Sequence, residues 1–385
     1  MIKNSLLVCA SILFAVFLAE IGLRLGGIAY PEFNRLDRTL GWSPRPNTEG
    51  FHAIEGRTWM RINAAGFRDI DHKIEKPKNV YRIAILGDSF AEGREVPLEK
   101  VFWKIMEKRL QSCRTASIDK FEVLGFAVNG YGTAQQLIVL RNHVWRYQPD
   151  AILLAFFTGN DVWNNSADLD RHPDRPYYEL KNGNLILKNE KLNSETFKSK
   201  KFLTDLKHGI YNQLRTLQVA RQSYKIIRYS KKNQQLPLAE QLSAGLDNGI
   251  YRPPTSPAWQ KAWAVTERLV KQINTDAQQR GKVSFWLSSL STPAQVYPEA
   301  QVRRAFATEL GVPNLAYPEN RLAEFAKSHN IPFFPLAHPL QEFAETQGIR
   351  LHGTQSFAGG HWNEIGHQQA GIRLAEHVCT ALMRR

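Results

Sequence analysis

The chain has 385 residues, a formal net charge of +14 and an isoelectric point of about 9.6. Hydrophobic residues make up 43% of the sequence and aromatic residues 11%, which excludes a chain without a buried core. The length accommodates one large domain with insertions or two small domains. The basic excess favours either anionic surroundings, such as nucleic acid, acidic glycans or a lipid surface, or simply a solubilising surface.

The N-terminal segment is predicted to be a membrane anchor. Residues 5–19 carry no charge and are followed by Glu20 and Arg24. A helix over residues 5–23 would be about 28 Å long, close to the thickness of a bilayer core. We therefore interpret residues 1–28 as an uncleaved signal anchor with one transmembrane helix.

A cleaved signal peptide is the alternative for this segment. Gly27, Ile28 and Ala29 resemble a small-x-small cleavage site, but the charges at Glu20 and Arg24 interrupt the region that such a site follows. The arginines after the apolar segment oppose export under the positive-inside rule, yet long domains often cross regardless of charge. We favour an exported C-terminal domain.

The rest of the chain alternates between predicted strands and helices. Residues 29–79 are predicted to be an irregular extracytoplasmic extension, and the body begins at residue 80. Apolar runs predict strands at 81–87, 121–128, 150–157, 283–290 and 331–337, and helices at 98–111, 133–147, 258–280, 320–328 and 364–383. This order predicts an α/β fold with a parallel sheet covered by helices on both faces.

A long polar segment interrupts the alternation. Residues 163–257 are rich in Lys and Asn and have few apolar runs, although residues 202–227 have helical periodicity. We interpret this segment as an insertion rather than a separate catalytic domain.

The three cysteines are weakly informative. Cys9 lies in the anchor, and Cys113 and Cys379 each lie near the end of a predicted helix. Two separate buried thiols are the favoured interpretation, because spacing alone does not determine pairing. A disulfide between Cys113 and Cys379 is the alternative, and an oxidising compartment would permit it.

Four loops at predicted strand ends carry polar and glycine residues. Three follow strands directly, and the fourth follows the last predicted strand at a greater distance: GDS at 87–89, VNGYGT at 128–133, TGND at 158–161 and GGHWNEIGH at 359–367. In an open parallel sheet the ligand site lies beyond the carboxyl ends of the strands. The four loops are therefore expected to meet at one site.

Together these loops contain what acyl transfer requires. Ser89 is a candidate nucleophile, and it needs a base such as His361 within hydrogen-bond reach. A tetrahedral intermediate needs donors directed at its oxyanion, which the amides of Ser89 and Gly130 and the side chain of Asn160 could supply. Gly130 suits this role because it lets the backbone approach a substrate closely.

Each residue taken singly has an ordinary structural explanation. A serine or an Asn-Asp pair after a strand is typical of a turn, and Asn363 is typical of a helix N-cap. Four such loops at strand ends are harder to explain as a coincidence. Asp88 and Asp161, beside the nucleophile and the amide, and Asn363 are predicted to support the site.

The four blocks resemble the SGNH hydrolase superfamily, the GDSL-type esterases. The matching residues are GDSF at 87–90, NGYGT at 129–133, GND at 159–161 and HWNEIGH at 361–367, within residues 80–165 and 258–385. The resemblance implies a three-layer α/β/α flavodoxin-like sandwich. It also implies that Ser89 is the nucleophile, that Ser89, Gly130 and Asn160 form the oxyanion hole, and that His361 is the base.

The extension also resembles part of this family. INAAGFRD at 62–69, after an anchor that ends in AEIGLRL, resembles membrane-anchored bacterial members. This likeness implies a single-pass protein of the bacterial inner membrane with a periplasmic catalytic domain.

One departure from the family concerns the third member of the triad. The family places an aspartate two or three residues before the histidine, where this chain has Gly359 and Ala358. His361 would then work as a dyad held by a backbone carbonyl, or borrow a carboxylate from elsewhere. Disabling this member of a triad can cost on the order of 10⁴-fold in turnover.

Two functions follow from these observations. The first is an extracytoplasmic serine esterase or O-acyltransferase that acts on acyl esters, such as acetyl esters, of surface glycans. The alternative is a weakly active or inactive SGNH-fold protein that binds glycan or assists envelope polysaccharide assembly, because the aspartate is missing.

Other classes of partner are not predicted. A nucleic-acid partner would rest on charge alone, since no matching motif is present. No metal site is predicted, because His352, His361 and His367 lack the thiols or carboxylates of a zinc pattern nearby in sequence. No cofactor is predicted.

Overall fold

A computed structural model describes residues 2–113, 118–170, 172–281 and 283–383. Its strands are β1 (Asn34–Asp37), β2 (Gly41–Pro44), β3 (Glu49–His52), β4 (Thr58–Arg61), β5 (Val80–Gly87), β6 (Lys120–Ala127), β7 (Ala151–Phe157), β8 (Tyr177–Lys181), β9 (Asn184–Lys188), β10 (Ser284–Leu290), β11 (Phe333–Pro335), β12 (His352–Thr354) and β13 (Phe357–Trp362). Its α-helices are α1 (Ile2–Leu25), α2 (Ser89–Glu92), α3 (Phe102–Leu110), α4 (Thr133–Val139), α5 (Asp161–Asn164), α6 (Glu195–Gln213), α7 (Arg215–Gln234), α8 (Leu238–Leu242), α9 (Pro257–Gln279), α10 (Ala300–Glu309), α11 (Tyr317–Ser328), α12 (Ala337–Gln347) and α13 (Glu364–Met383).

The central sheet has five parallel strands in the order β11-β10-β7-β5-β6. The first of these strands in the chain, β5, lies between the second, β6, and the third, β7. This is the flavodoxin-like order, in which the chain reverses its winding between β5 and β7. The predicted α/β fold is confirmed, and the reversal places the ends of β5 and β7 side by side.

Side chains alternate between two cores, one on each face of the sheet. In β5, Ile83 and Ile85 belong to the core that also contains residues of α3 and α13. Ala84 and Leu86 belong to the other core, which contains residues of α4 and α9. Since both faces of the sheet are covered, β7 is buried throughout, and the fold has three layers.

Several predicted elements are shorter than expected. The helix predicted at 98–111 starts with a 3₁₀ turn, and α3 begins at Phe102. The helix predicted at 133–147 ends as α4 at Val139 and continues as a π turn and a 3₁₀ turn. The strand predicted at 331–337 keeps three residues, because Pro332 lacks the N–H that a ladder needs and α12 begins at Ala337. Helices α10 and α12 were not predicted.

The extension is folded, and the expectation that it is irregular is wrong. Two hairpins, β1-β2 and β3-β4, form within it. The buried guanidinium of Arg68 donates to the carbonyls of Glu92 and Val96, at 2.6 and 2.5 Å. The carboxylate of Asp69 accepts from the N–H of Gly125 in β6 at 2.9 Å. These buried hydrogen bonds attach the extension to the body. The sequence did not predict the strands of the extension because they are short and lack the apolar runs that identify longer strands.

The insertion contains the hairpin β8-β9 and helices α6, α7 and α8. It packs on the body near the last strand, because α8 contacts β13 and the side chain of Gln241 accepts from the N–H of Ala358 at 2.8 Å. The predicted helical part, 202–227, falls within α6 and α7.

Cys113 and Cys379 form a disulfide, so the favoured expectation of two separate thiols is wrong. Helices α3 and α13 pack side by side, and this packing brings the two Cα atoms to 5.8 Å although 266 residues separate them in sequence. Cys9 is free and exposed.

Helix α1 is long and apolar enough to cross a membrane, and the segment Lys3–Leu25 that meets this test is not buried in the protein. An N-terminal signal sequence would meet the same test.

Candidate active site

The nucleophile candidate lies on a tight turn between β5 and α2. Gly87 ends the strand, and a Cβ there would lie 2.6 Å from the Cβ of Ala91, so the turn requires a residue without a side chain. Asp88 caps α2 by accepting from the N–H of Phe90 at 2.9 Å. Ser89 is the first residue of α2 and is only 6% exposed.

Asp88 connects the first and third loops. Its Oδ2 accepts from the Nδ2 of Asn160 at 3.1 Å and from the Oγ of Ser89 at 3.4 Å. Burial raises the pKa of the Asp88 carboxyl. Asp88, Ser89 and Asn160 are therefore brought together at the point where the sheet reverses its winding.

Two glutamates contact the ring of His361. The Nδ1 of His361 lies 2.7 Å from a carboxylate oxygen of Glu55 and 3.1 Å from one of Glu95. The backbone N–H of His361 also donates to the same oxygen of Glu55, at 3.0 Å. Glu55 lies between β3 and β4 in the extension, and Glu95 follows α2. Of the alternatives left open by the sequence, the structure shows the borrowed carboxylate.

The two carboxylates control the charge of the histidine. Burial alone would lower the pKa of His361, but the charges of Glu95 and Glu55 outweigh it and raise that pKa to about 10. Burial alone would raise the pKa of Glu55, but His361 outweighs it and holds that pKa below its usual range. Burial raises the pKa of Glu95. The site therefore stabilises the imidazolium form of His361 strongly.

His361 lies against the helix that carries the serine. Its ring packs on the ring of Phe90, the residue after Ser89, with centroids 4.9 Å apart. Among the described residues, no hydrogen bond joins the Nε2 of His361 to Ser89, whose hydroxyl faces Asp88 instead. The structure thus brings the candidate nucleophile and the candidate base to one site, with no hydrogen bond between them.

Gly130 is held in a loop that the extension and the insertion both contact. Its φ of +77° favours glycine. The indole N–H of Trp42, from the extension, donates to the carbonyl of Asn129 at 3.0 Å. The buried carboxylate of Glu92 accepts from the N–H of Asn129 at 2.6 Å, and Arg175, from the insertion, donates to the carbonyl of Gly130 at 2.7 Å.

The donors predicted for the oxyanion hole have hydrogens that no described residue accepts. Among the described residues, no hydrogen bond uses the backbone N–H of Ser89 or of Gly130. The amide of Asn160 has one bond, to Asp88, and its Nδ2 carries a second hydrogen.

The other two predicted residues hold loops in place. Asp161 is buried, and its carboxylate accepts from the N–H of Phe157 at 2.9 Å, which fixes the turn after β7. Burial raises the pKa of Asp161 well above its usual range. Asn363 caps α13 by accepting from the N–H groups of Ile365 and Gly366, each at 3.0 Å.

One trio could hold a metal ion. The ligand atoms of Glu55, Glu95 and His361 all lie within 4.8 Å of one another. A cavity of about 220 Å³ opens beside them. The sequence did not predict this trio, because its members are distant in the chain. A metal on Nδ1 would displace the proton that Nδ1 donates to Glu55, so metal binding and this hydrogen bond exclude each other.

Sequence reasoning missed four residues of this site, namely Trp42, Glu55, Glu92 and Glu95. Glu92 and Glu95 lie within six residues of Ser89, and this short spacing is a signal that could have identified them. Trp42 and Glu55 lie in the extension and carry no comparable signal.

Comparisons with known proteins show distant likeness only. No family model and no curated protein matches the chain. Similar solved structures include the acetyl xylan esterase AlAXEase, which is 11% identical, with 78% of this chain and 98% of that chain covered and a TM-score of 0.37. A lipolytic protein of the G-D-S-L family from Veillonella parvula is 12% identical, with 77% and 97% covered and a TM-score of 0.35.

A third similar structure is the lipase/acylhydrolase from Enterococcus faecalis, at 12% identity, 78% and 96% coverage and a TM-score of 0.35. The G-D-S-L name is that of the group that the four blocks resemble. Likeness this distant does not decide what the chain does, which has to be inferred from its own residues.

Proposed function

We propose that this protein is a serine esterase or O-acyltransferase with Ser89 as nucleophile and His361 as base. The observation that carries the proposal is the carboxylate of Glu55 on the Nδ1 of His361, at 2.7 Å. A carboxylate in this position fixes the ring and stabilises the imidazolium that forms when the base takes a proton. The ring it fixes packs on the residue that follows Ser89.

The first half of the reaction forms an acyl-enzyme. The hydroxyl of Ser89 rotates from Asp88 to the Nε2 of His361, gives up its proton and attacks the ester carbonyl carbon. The resulting oxyanion accepts hydrogen bonds from the N–H groups of Ser89 and Gly130 and from the amide of Asn160. The imidazolium then protonates the departing alcohol, which leaves the acyl group on Ser89.

The second half repeats these steps with a new nucleophile. Water gives hydrolysis, and a sugar hydroxyl gives acyl transfer. His361 takes a proton from the incoming group and returns it to the Ser89 oxygen.

We also propose that the catalytic domain is periplasmic and that α1 anchors it in a bacterial inner membrane. The length and apolarity of α1 support an anchor, and the disulfide between Cys113 and Cys379 suits an oxidising compartment. Acetyl and other acyl esters of surface glycans are the proposed substrates, and the net charge of +14 favours anionic polymers among them.

The alternative function, a glycan-binding protein without activity, was motivated by the missing aspartate. Glu55 and Glu95 now supply carboxylates to His361, and this observation favours the enzyme. The open bond between Ser89 and His361 does not weigh against it, because catalytic hydrogen bonds are often loose in structures without substrate.

Labelling with a fluorophosphonate tests the proposal, because this reagent reacts with activated serines. The full chain would be purified in detergent beside Ser89→Ala, His361→Ala and, as a control, Ser328→Ala, which removes an exposed serine on α11. We expect labelling of the wild type and the control and none of the two site variants. A folded wild type that is not labelled would overturn the proposal and favour the binding protein.

A further inference from the structure

Helix α6 of the insertion exposes a row of large apolar side chains. Phe202, Leu203, Leu206 and Ile210 are each at least 55% exposed, and we call these four residues the α6 stripe. Their spacing confines them to an arc of about 100° on the helix, away from Phe197 and Tyr211, which face the protein. Contiguous exposed apolar surface of this kind is typical of an interaction site.

The next helix also exposes large apolar side chains. Leu217, Tyr224 and Ile227 of α7 are between 46% and 63% exposed and lie on one side of that helix. Leu214, at the corner between α6 and α7, is also exposed.

The corner between the two helices is tied to the end of α1. The carboxylate of Glu20 accepts from the N–H groups of Arg215 and Thr216, at 3.0 and 2.9 Å. Arg24 donates to the carbonyl of Gln213. Because Glu20 and Arg24 lie in the last turns of the candidate span, the corner lies where a bilayer surface would be if α1 crosses it.

The same two helices are strongly basic. They carry ten Lys or Arg residues and two acidic residues, a formal charge of +8 out of the +14 of the whole chain. Amphipathic helices that combine an apolar face with many Lys and Arg residues bind in the interface of anionic membranes. Basic residues near the surface of such a membrane are attracted by its anionic headgroups.

We propose that α6 and α7 form a second membrane contact, with the α6 stripe inserted among the headgroups of an anionic bilayer. The partner of the α6 stripe is the bilayer that α1 crosses, because the stripe begins near the corner attached to α1. From Ile210 to Phe202 the stripe extends about 12 Å along the helix. Together, α1 and the α6 stripe fix the orientation of the body relative to the membrane, whereas α1 alone would allow the body to rotate about the membrane attachment. This proposal rests on the proposed anchoring of the protein by α1, and it is independent of the esterase activity.

A fluorescent probe on the stripe tests the contact in the full chain. Cys9→Ser removes the free thiol, and the disulfide protects the other two cysteines, so a single introduced cysteine can be labelled. The probe would be placed at Leu203→Cys and, as a control, at Ser328→Cys, an exposed position on α11 at the β11 edge of the sheet. Vesicles would contain phosphatidylcholine alone or mixed with phosphatidylglycerol, with spin-labelled lipid or aqueous iodide as quencher.

In the anionic vesicles we expect spin-labelled lipid to quench the probe at 203 but not the probe at 328. Iodide quenching at 203 should fall roughly fivefold relative to 328, because interfacial side chains are buried several ångströms deep. Adding Phe202→Ser and Leu206→Ser, which change exposed residues only, should reduce both effects.

Three outcomes would overturn the proposal. Equal iodide quenching at 203 and 328 would show that the stripe remains in water. Protection from iodide without quenching by spin-labelled lipid would show that a protein, such as a second copy of this chain, covers the stripe. If the probe at 203 were protected from iodide equally in neutral and in anionic vesicles, anionic lipid would have no role in the contact.

Discussion

The loops at the strand ends and the extension contribute to the same site in different ways. The loops after β5, β6 and β7 carry Ser89, Gly130 and Asn160, and the ends of these strands lie side by side in the central sheet. His361 does not lie in a loop, as the sequence predicted, but in β13, which pairs with β12 outside the central sheet. The extension lies outside the sheet, yet Glu55 contacts the Nδ1 of His361 and Arg68 holds the turn that leads to Glu95. In the proposed reaction the reacting groups therefore come from the body, and the carboxylate that would orient the base comes from the extension.

This difference shows that the folded chain can supply a carboxylate that the local sequence around the histidine lacks. No carboxylate lies within eight residues before His361 in the sequence, but the carboxylate of Glu55 reaches it from 306 residues away in the chain. Substitutions in the loops and in the extension should therefore both reduce activity, to different extents.

The largest effect is expected in the loops. Ser89→Ala should reduce kcat for an acetyl ester by roughly 10⁶-fold, and the double variant with His361→Ala should be no worse, because the pair acts as a unit. Steady-state hydrolysis of p-nitrophenyl acetate measures this loss. Additive losses in the double variant would mean that the two residues act separately.

A large effect is also expected in the extension. Glu55→Gln should reduce kcat by up to about 10⁴-fold with KM little changed, because the imidazolium loses its stabilising charge and the ring its fixed tautomer. Glu49→Gln, an exposed glutamate of the same extension, is the matched control and should keep full activity. Full activity of Glu55→Gln would assign the orienting role to Glu95.

The second glutamate should control the pH dependence. The base must be neutral, and the raised pKa of His361 means that kcat/KM increases with pH until about pH 10. Glu95→Gln removes a negative charge, so the pKa of His361 should fall by roughly one to three units and activity near neutral pH should increase.

A pH profile of kcat/KM measures this shift, with Glu99→Gln, an exposed glutamate four residues further on, as the control. An unchanged profile would show that Glu95 does not set the pKa of the base.

A smaller effect is expected for the contact between the extension and the Gly130 loop. Trp42→Ala removes the hydrogen bond to the carbonyl of Asn129 and opens space beside Gly130, so kcat should fall about tenfold as an oxyanion donor loses its position. Trp59→Ala, a more exposed tryptophan of the extension, serves as the control. Equal losses in the two variants, measured with matched thermal melts, would indicate a general loss of stability instead.

The sequence alone predicted those features that depend on residues close together in the chain or on the order of the strands. The apolar runs predicted all five strands of the central sheet, and the carboxyl ends of parallel strands meet at one edge, so the sequence alone placed Ser89 and Asn160 at one site. Asn363 could be identified as a cap because capping depends on residues three or fewer positions away.

Tertiary structure decided what depends on contacts between distant segments. The pairing of Cys113 with Cys379 required the packing of α3 on α13. The pairing of Glu55 with His361 required a folded extension, and no spacing in the chain encodes it. Glu55 can orient His361 only because it is partly buried and lies beside the charged ring. Both conditions arise from the folded structure and not from the residues next to Glu55 in the sequence.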